Sequence, residues 1–159
     1  MFDFLSLYNK YETLTAKFFE GKEIEEIKKK SQYFTPLEEV SKMIESLRFQ
    51  KQEKLKILDP ACGNGILIFK LIEKILSCYQ PKELQIDVFD TDINTLNIFK
   101  EIVKEFYFNK KNNIFFKINY LNEDFLNNKK TEKYNYIIMN PPYKKINIKD
   151  VPENLKEYL

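Results

Sequence analysis

The chain has 159 residues, 43% hydrophobic and 15% aromatic, enough apolar material for one packed domain and too much for a disordered chain. Its 26 Lys and Arg against 24 Asp and Glu leave a formal charge of +2, so the balance alone names no polyanionic or polycationic partner. Two Cys and no His exclude most zinc sites and every histidine-dependent mechanism within the chain.

Met1 leads into "FDFLSLYNKYE", which carries acids and lacks a basic head and a small-residue cleavage site, so no signal peptide is expected. No apolar run approaches the roughly 20 residues of a membrane span, and the expected location is cytoplasmic. Phe4, Leu7, Tyr8, Tyr11, Leu14 and Phe18 recur at helical spacing and predict a helix over 2–20, ending near Gly21. The polar "KEIEEIKKK" that follows reads as a short helix or connector. "TPLEE" predicts a helix start, with Thr35 as cap, Pro36 in the first turn and Glu38 completing a capping box. Leu37, Val40, Ile44 and Leu47 line one face of that helix. The Lys runs at 28–30, 110–111, 129–130 and 144–145 read as solvated surface more readily than as a phosphate-binding patch.

From Leu55 the pattern alternates. "LKILD", "LQIDVFD", "NIFFKINY" and "YNYIIM" predict four strands; "GILIFKLIEKILSCY" and "INTLNIFKEIVKEFYF" predict helices between them. Such alternation implies right-handed crossovers and a mostly parallel α/β sheet with helices on both faces. In that architecture ligands sit beyond the carboxyl ends of the strands. The expected division is a helical segment over 1–50 and a sheet-bearing domain over 51–159.

Each unusual loop falls at such a strand end. "DPACGNG" (59–65) places Gly63 and Gly65 where positive φ and close backbone approach are useful. It is neither G-x-G-x-x-G nor a phosphate-binding loop with its Lys. With an Asp at the strand end and no basic residue, a cationic amine or sulfonium suits this mouth better than a pyrophosphate. The alternative is a tight strand-to-helix turn with Cys62 as packing. "FDTD" ends the second strand: Asp90 is placed to accept from ribose hydroxyls and Asp92 to cap the helix at Ile93. "NEDFLN" follows the third strand, where Asp124 suits an adenine amino group and Phe125 the ring face; a loop acid and a core aromatic are the plain readings. "NPPY" (140–143) ends the fourth strand. The Asn140 side-chain carbonyl and the carbonyl of Pro141, whose φ is fixed, offer two acceptors to one primary amine. Tyr143 offers a stacking face. The competing reading is a stiff Pro-Pro turn in which Asn140 only caps the strand.

In this order, "QYFTP", "DPACGNG", "FDTD", "EDFL" and "NPPY" resemble the motifs of S-adenosylmethionine-dependent adenine-N6 DNA methyltransferases of restriction–modification systems. The resemblance covers about residues 31–143; "NPPY" alone is shared with protein-glutamine and ribosomal-RNA guanine methyltransferases, and "QYFTP" ahead of "DPACGNG" points to the DNA enzymes. It implies a Rossmann-like class I methyltransferase sheet, incomplete here at about four of seven strands, with S-adenosylmethionine as cofactor and no metal. Thr35 would hold the methionine carboxylate, and Asp59, Ala61 and Gly63 the methionine moiety. Asp90 would hold the ribose, and Thr91, Asp124 and Phe125 would surround the adenine ring. Asn140, Pro141, Pro142 and Tyr143 would form the catalytic loop for a DNA adenine flipped out of its duplex. A second chain or a C-terminal region would supply target recognition. Two other readings are a protein-glutamine methyltransferase and a non-catalytic cofactor-binding remnant.

Overall fold

A computed structural model describes residues 4–23, 25, 27, 34–108, 114–128 and 132–141. The elements are α1 (Phe4–Phe19), α2 (Leu37–Glu45), β1 (Lys54–Asp59), α3 (Ile66–Cys78), β2 (Glu83–Phe89), α4 (Ile93–Phe108), β3 (Phe115–Leu121) and β4 (Tyr136–Ile137). A single 3₁₀ turn, Phe125–Asn127, lies between β3 and β4. Most of the expected connector after Gly21 lies outside the described residues.

The strands form one parallel sheet in the order β3-β2-β1-β4. Chain order steps outward from β1 to β3 and then crosses back to β4, so the switch in direction falls between β1 and β4. A ligand crevice belongs at that point.

Both βαβ steps move the same way across the sheet, so right-handed crossovers put α3 and α4 on one face. The N-terminal helices join them there. Tyr8 and Tyr11 of α1 meet the ring of Phe69 edge-on, at centroid distances of 6.4 and 5.7 Å. Val40 and Ile44 of α2 complete a core built on Leu55, Ile57, Leu84, Ile86 and Phe116. Among the described residues the opposite face carries no α-helix, contrary to the two-sided cover that the alternation suggested. The connection from β3 to β4 packs on part of it, at Phe89 and Asp87. Phe125 packs edge-on against Phe89 at 5.1 Å, and Tyr134 Oη donates to buried Asp87 Oδ2 at 2.8 Å. Asn119 Nδ2 donates to Asp87 Oδ1 at 2.5 Å, and Lys56 Nζ lies 3.7 Å from Asp87 Oδ2, so this buried carboxylate is partnered on both oxygens.

Two local expectations fail. Pro36, not Thr35, occupies the cap position of α2 and no side chain caps the helix; Val40 N instead donates to the Pro36 carbonyl at 3.0 Å. Thr35 therefore lies one residue too early for a capping box, and Glu38 pairs with Lys42 at 2.7 Å. The fourth strand pairs over two residues only, and sits at the sheet edge with Ile137 60% and Met139 50% exposed. No helix among the described residues is long and apolar enough to cross a membrane.

Candidate cofactor and target-amine site

β1 carries Asp59 to its buried end, 1% exposed. One carboxylate oxygen, Oδ1, accepts from Ala61 N at 3.1 Å, while Oδ2 is buried with no hydrogen-bond partner among the described residues. Burial pushes the Asp59 carboxyl up to about 7; the Ala61 amide opposes this and the charge of Asp90 adds to it. A buried acceptor at a strand end with an oxygen unused is an arrangement that a cationic donor would complete.

The loop after Asp59 is fastened on three sides. Cys62 N donates to the Phe89 carbonyl at 2.9 Å, and Gly63 N to Asp90 Oδ2 at 2.8 Å. Asn64 Nδ2 donates to Thr15 Oγ1 of α1 at 3.1 Å. Gly65 has φ +78°, and a Cβ there would stand 2.3 Å from the ring of Phe99, so α3 starts only because no side chain intervenes. Gly63 has φ +54° with Phe34 3.6 Å from where its Cβ would be: the conformation favours glycine but the space does not demand it. Burial raises the Cys62 thiol well above its ordinary value, which suits packing and not a reactive thiolate.

At the next strand end, Asp90 Oδ1 accepts from Asp92 N at 2.8 Å while Oδ2 holds Gly63, so Asp90 ties the first loop to its own. Asp92 caps α4 as expected: its Oδ1 accepts from Asn94 N at 2.8 Å. Thr91 is exposed beside it. At the third end, Asn122 Nδ2 donates to the Asp90 carbonyl at 2.9 Å. Asp124 caps the 3₁₀ turn through Leu126 N at 3.0 Å, and half-buried Phe125 covers Phe89. Asp90, Thr91, Asp124 and Phe125 thus lie along two adjoining strand ends.

The fourth end brings Asn140 to the first loop. Phe34, Thr35, Asp59, Ala61, Gly63 and Asn140 line one cleft, together with Cys62 and Asn64. Asn140 Nδ2 donates to Thr35 Oγ1 at 2.7 Å, across 105 residues of sequence. Pro141 is exposed next to it; Pro142 and Tyr143 lie outside the described residues, as do Gln32 and Tyr33. The sequence reading did not single out Phe34, which packs on Phe18 and Phe19 at 5.3 and 5.2 Å and backs Gly63. Its only linear signal is its place inside "QYFTP". Nor did it single out Asn64, whose Oδ1 accepts from Ile66 N at 3.3 Å at the start of α3.

The family model for N-6 DNA methylases matches residues 6–157. A type II methyltransferase, M.AccI of Acinetobacter calcoaceticus, is 35% identical over 134 residues, covering 84% of this chain and 22% of the relative. A protein of Listeria monocytogenes described as a class I S-adenosylmethionine-dependent methyltransferase superposes with a TM-score of 0.60 at 17% identity, over 91% of this chain and 42% of that one. A modification subunit assigned to a type I restriction enzyme of Vibrio vulnificus superposes with a TM-score of 0.61 at 17% identity, over 92% and 31%. The chain thus spans about a fifth of the length of the curated relative it matches. With the family model covering nearly its whole length, the chain belongs to the N-6 DNA methylase family.

Proposed function

We propose that this chain is the cofactor-binding and catalytic-loop portion of an enzyme that methylates the exocyclic amine of adenine in DNA, with S-adenosylmethionine as donor. The observation that carries the reading is the cleft in which Asn140 stands beside the first loop, with the unpartnered Asp59 Oδ2 in its wall. The donor set fits such a cofactor. Asp59 meets its ammonium, Asp90 its ribose, Thr35 its carboxylate, and Ala61 and Gly63 its methionine chain. Asp124, Phe125 and Thr91 surround its adenine. When bound, the cofactor supplies an electrophilic methyl group.

The chain's own residues then have one task, to present the amine. Asn140 Oδ1 and the Pro141 carbonyl accept its two hydrogens, which favours a pyramidal nitrogen with its lone pair free for attack. Pro142 and Tyr143 complete the loop, Tyr143 stacking on the flipped base. No base stronger than these acceptors is needed, because the amine can lose its proton after the new bond has formed. The absence of His from the sequence is consistent with this chemistry. Target recognition falls to further polypeptide, in the same chain or a second one, and action on DNA places the protein in the cytoplasm.

Titration calorimetry with S-adenosylmethionine tests the first half of this reading, and single-turnover transfer of labelled methyl to an adenine-containing duplex, using the whole protein, tests the second. Failure to bind removes the cofactor assignment. Binding with transfer to protein glutamine and none to DNA removes the substrate.

A further inference from the structure

A primary carboxamide is nearly symmetric in shape, so a rotation of about 180° exchanges its acceptor for its donor. Asn140 is useful to a target amine in one of these orientations only, with Oδ1 toward the amine. Something must hold the other end. In the structure that end, Nδ2, donates to Thr35 Oγ1 at 2.7 Å. Both partners lie close to a main-chain anchor. Ile138 N, two residues before Asn140, donates to the Leu58 carbonyl at 3.0 Å. Thr35 lies between Phe34, packed against Phe18 and Phe19 of α1, and Pro36, whose φ of −58° leads directly into α2.

A hydroxyl can also donate, so Thr35 by itself does not select the orientation. If its proton were turned toward Asn140, the flipped amide would be satisfied just as well. Selection requires the proton to be committed elsewhere. In the function proposed above, on which this step rests, Thr35 donates that proton to the cofactor's carboxylate. Its oxygen can then only accept, and Asn140 must present Nδ2 to it and Oδ1 to the amine.

We propose that Thr35 is a positioning residue for the target-amine clamp, and that it makes the productive orientation of the Asn140 amide contingent on an occupied cofactor site. The clamp is set when the methyl donor is in place. A target amine meeting the empty protein faces an amide with two nearly equivalent orientations.

The test uses the side-chain amide resonances of Asn140 in ¹⁵N-labelled protein, assigned by their loss in Asn140→Ala, with S-adenosylhomocysteine as the probe. In the parent, the probe should move both Asn140 amide protons and slow their exchange with solvent by about three- to tenfold, the factor one hydrogen bond of ordinary strength supplies. Thr35→Val, close in shape and without a hydroxyl, should lose that response even at saturating probe, and Thr35→Ser should keep it. In the whole protein at saturating cofactor, Thr35→Val should lower kcat by a similar three- to tenfold factor, and add nothing further in an Asn140→Ala background. Bound probe with an Asn140 amide indifferent to Thr35→Val would overturn the linkage while leaving the proposed function standing. No binding of the probe to the parent would overturn the cofactor assignment, and the linkage with it. Thr35→Ser also guards against misfolding: a folded Ser variant lacking the response would count against the linkage equally.

Discussion

Asp59→Asn should stabilise the ligand-free protein at alkaline pH, although it alters a residue of the proposed site. Burial raises the Asp59 carboxyl to about 7, against about 4 for an ordinary aspartate, which is equivalent to about 4 kcal/mol against the folded state once the group is ionised. The sign follows from proton binding. Between pH 4 and 7 the folded chain holds a proton that the unfolded chain has released, so stability from this group is present at low pH and declines as pH rises through 7. Asparagine cannot ionise, but its amide places a donor where Oδ2 has no partner, at a cost of about 1–3 kcal/mol. The net gain at pH 8 should therefore be about 1–3 kcal/mol, and at pH 5 it should vanish or reverse. The most robust quantity is the difference between the two pH values, about 3 kcal/mol, or about 6–10 °C in Tm for a chain of this size. Paired thermal melts of parent and variant at pH 5, 6, 7 and 8 cancel the titration of the other carboxylates. A parent–variant difference that stays flat from pH 5 to 8 would refute the idea of a desolvated carboxylate awaiting a cation.

In the parent, affinity for S-adenosylmethionine should fall about tenfold per pH unit below 7, because a cationic ligand selects the ionised form of Asp59; calorimetry across pH 5–8 reads this directly. In the whole protein, Asn140→Ala should slow single-turnover methylation by about 10²–10³-fold with cofactor affinity within a few-fold; a variant that melts early but methylates at the parental rate would restore the plain turn. Gly65→Ala should cost more than about 2 kcal/mol, because its Cβ meets Phe99 at 2.3 Å, while Gly63→Ala carries only the strain of its positive φ, about 1 kcal/mol; denaturant melts should separate the two clearly. In the native protein a thiol reagent should label exposed Cys78 and spare buried Cys62, and mass spectrometry of the labelled peptides checks it.

The rhythm of apolar residues made β1, α3, β2, α4 and β3 legible because each buries a face that its sequence period marks directly, as with Leu55 and Ile57. The same rhythm overstates the length of β4, since "YNYIIM" predicts a strand of six residues. Only Tyr136 and Ile137 pair in register with β1, with single backbone bonds from Asn135 N and Ile138 N on either side, and the outward edge carries no neighbour among the described residues. At Thr35 local chemistry favours a cap, yet a contact with Asn140, distant in sequence, claims its hydroxyl. Linear spacing carries no sign of such a pairing. The positions of Asp59, Asp90 and Asn140 at strand ends were legible from topology alone. That Asp59 would retain an unpartnered oxygen was not, since it depends on what the fold withholds from it.

The strand that delivers Asn140 is held differently from its neighbours. β1 and β2 are laddered along their full length, whereas β4 has a two-residue ladder flanked by Asn135 N to the Lys56 carbonyl at 2.8 Å and Ile138 N to the Leu58 carbonyl at 3.0 Å, with the Asn135 Oδ1 contact to Lys56 N at 2.7 Å and the Phe49 ring against Tyr136 at 5.3 Å. Amide protons in the centre of β1 and β2 should therefore exchange only when the whole sheet opens, while that of Ile138 is released by a local excursion of far lower free energy. Such an excursion would draw Asn140 away from Thr35, while Asp59 and Asp90 stand on strands paired along their full length. In the proposed function, the fully laddered strands would seat the methyl donor, and the short edge strand would be the part that yields to a flipped base. On that proposal, the donor would stay bound through unproductive encounters with DNA while only β4 has to settle on the right base.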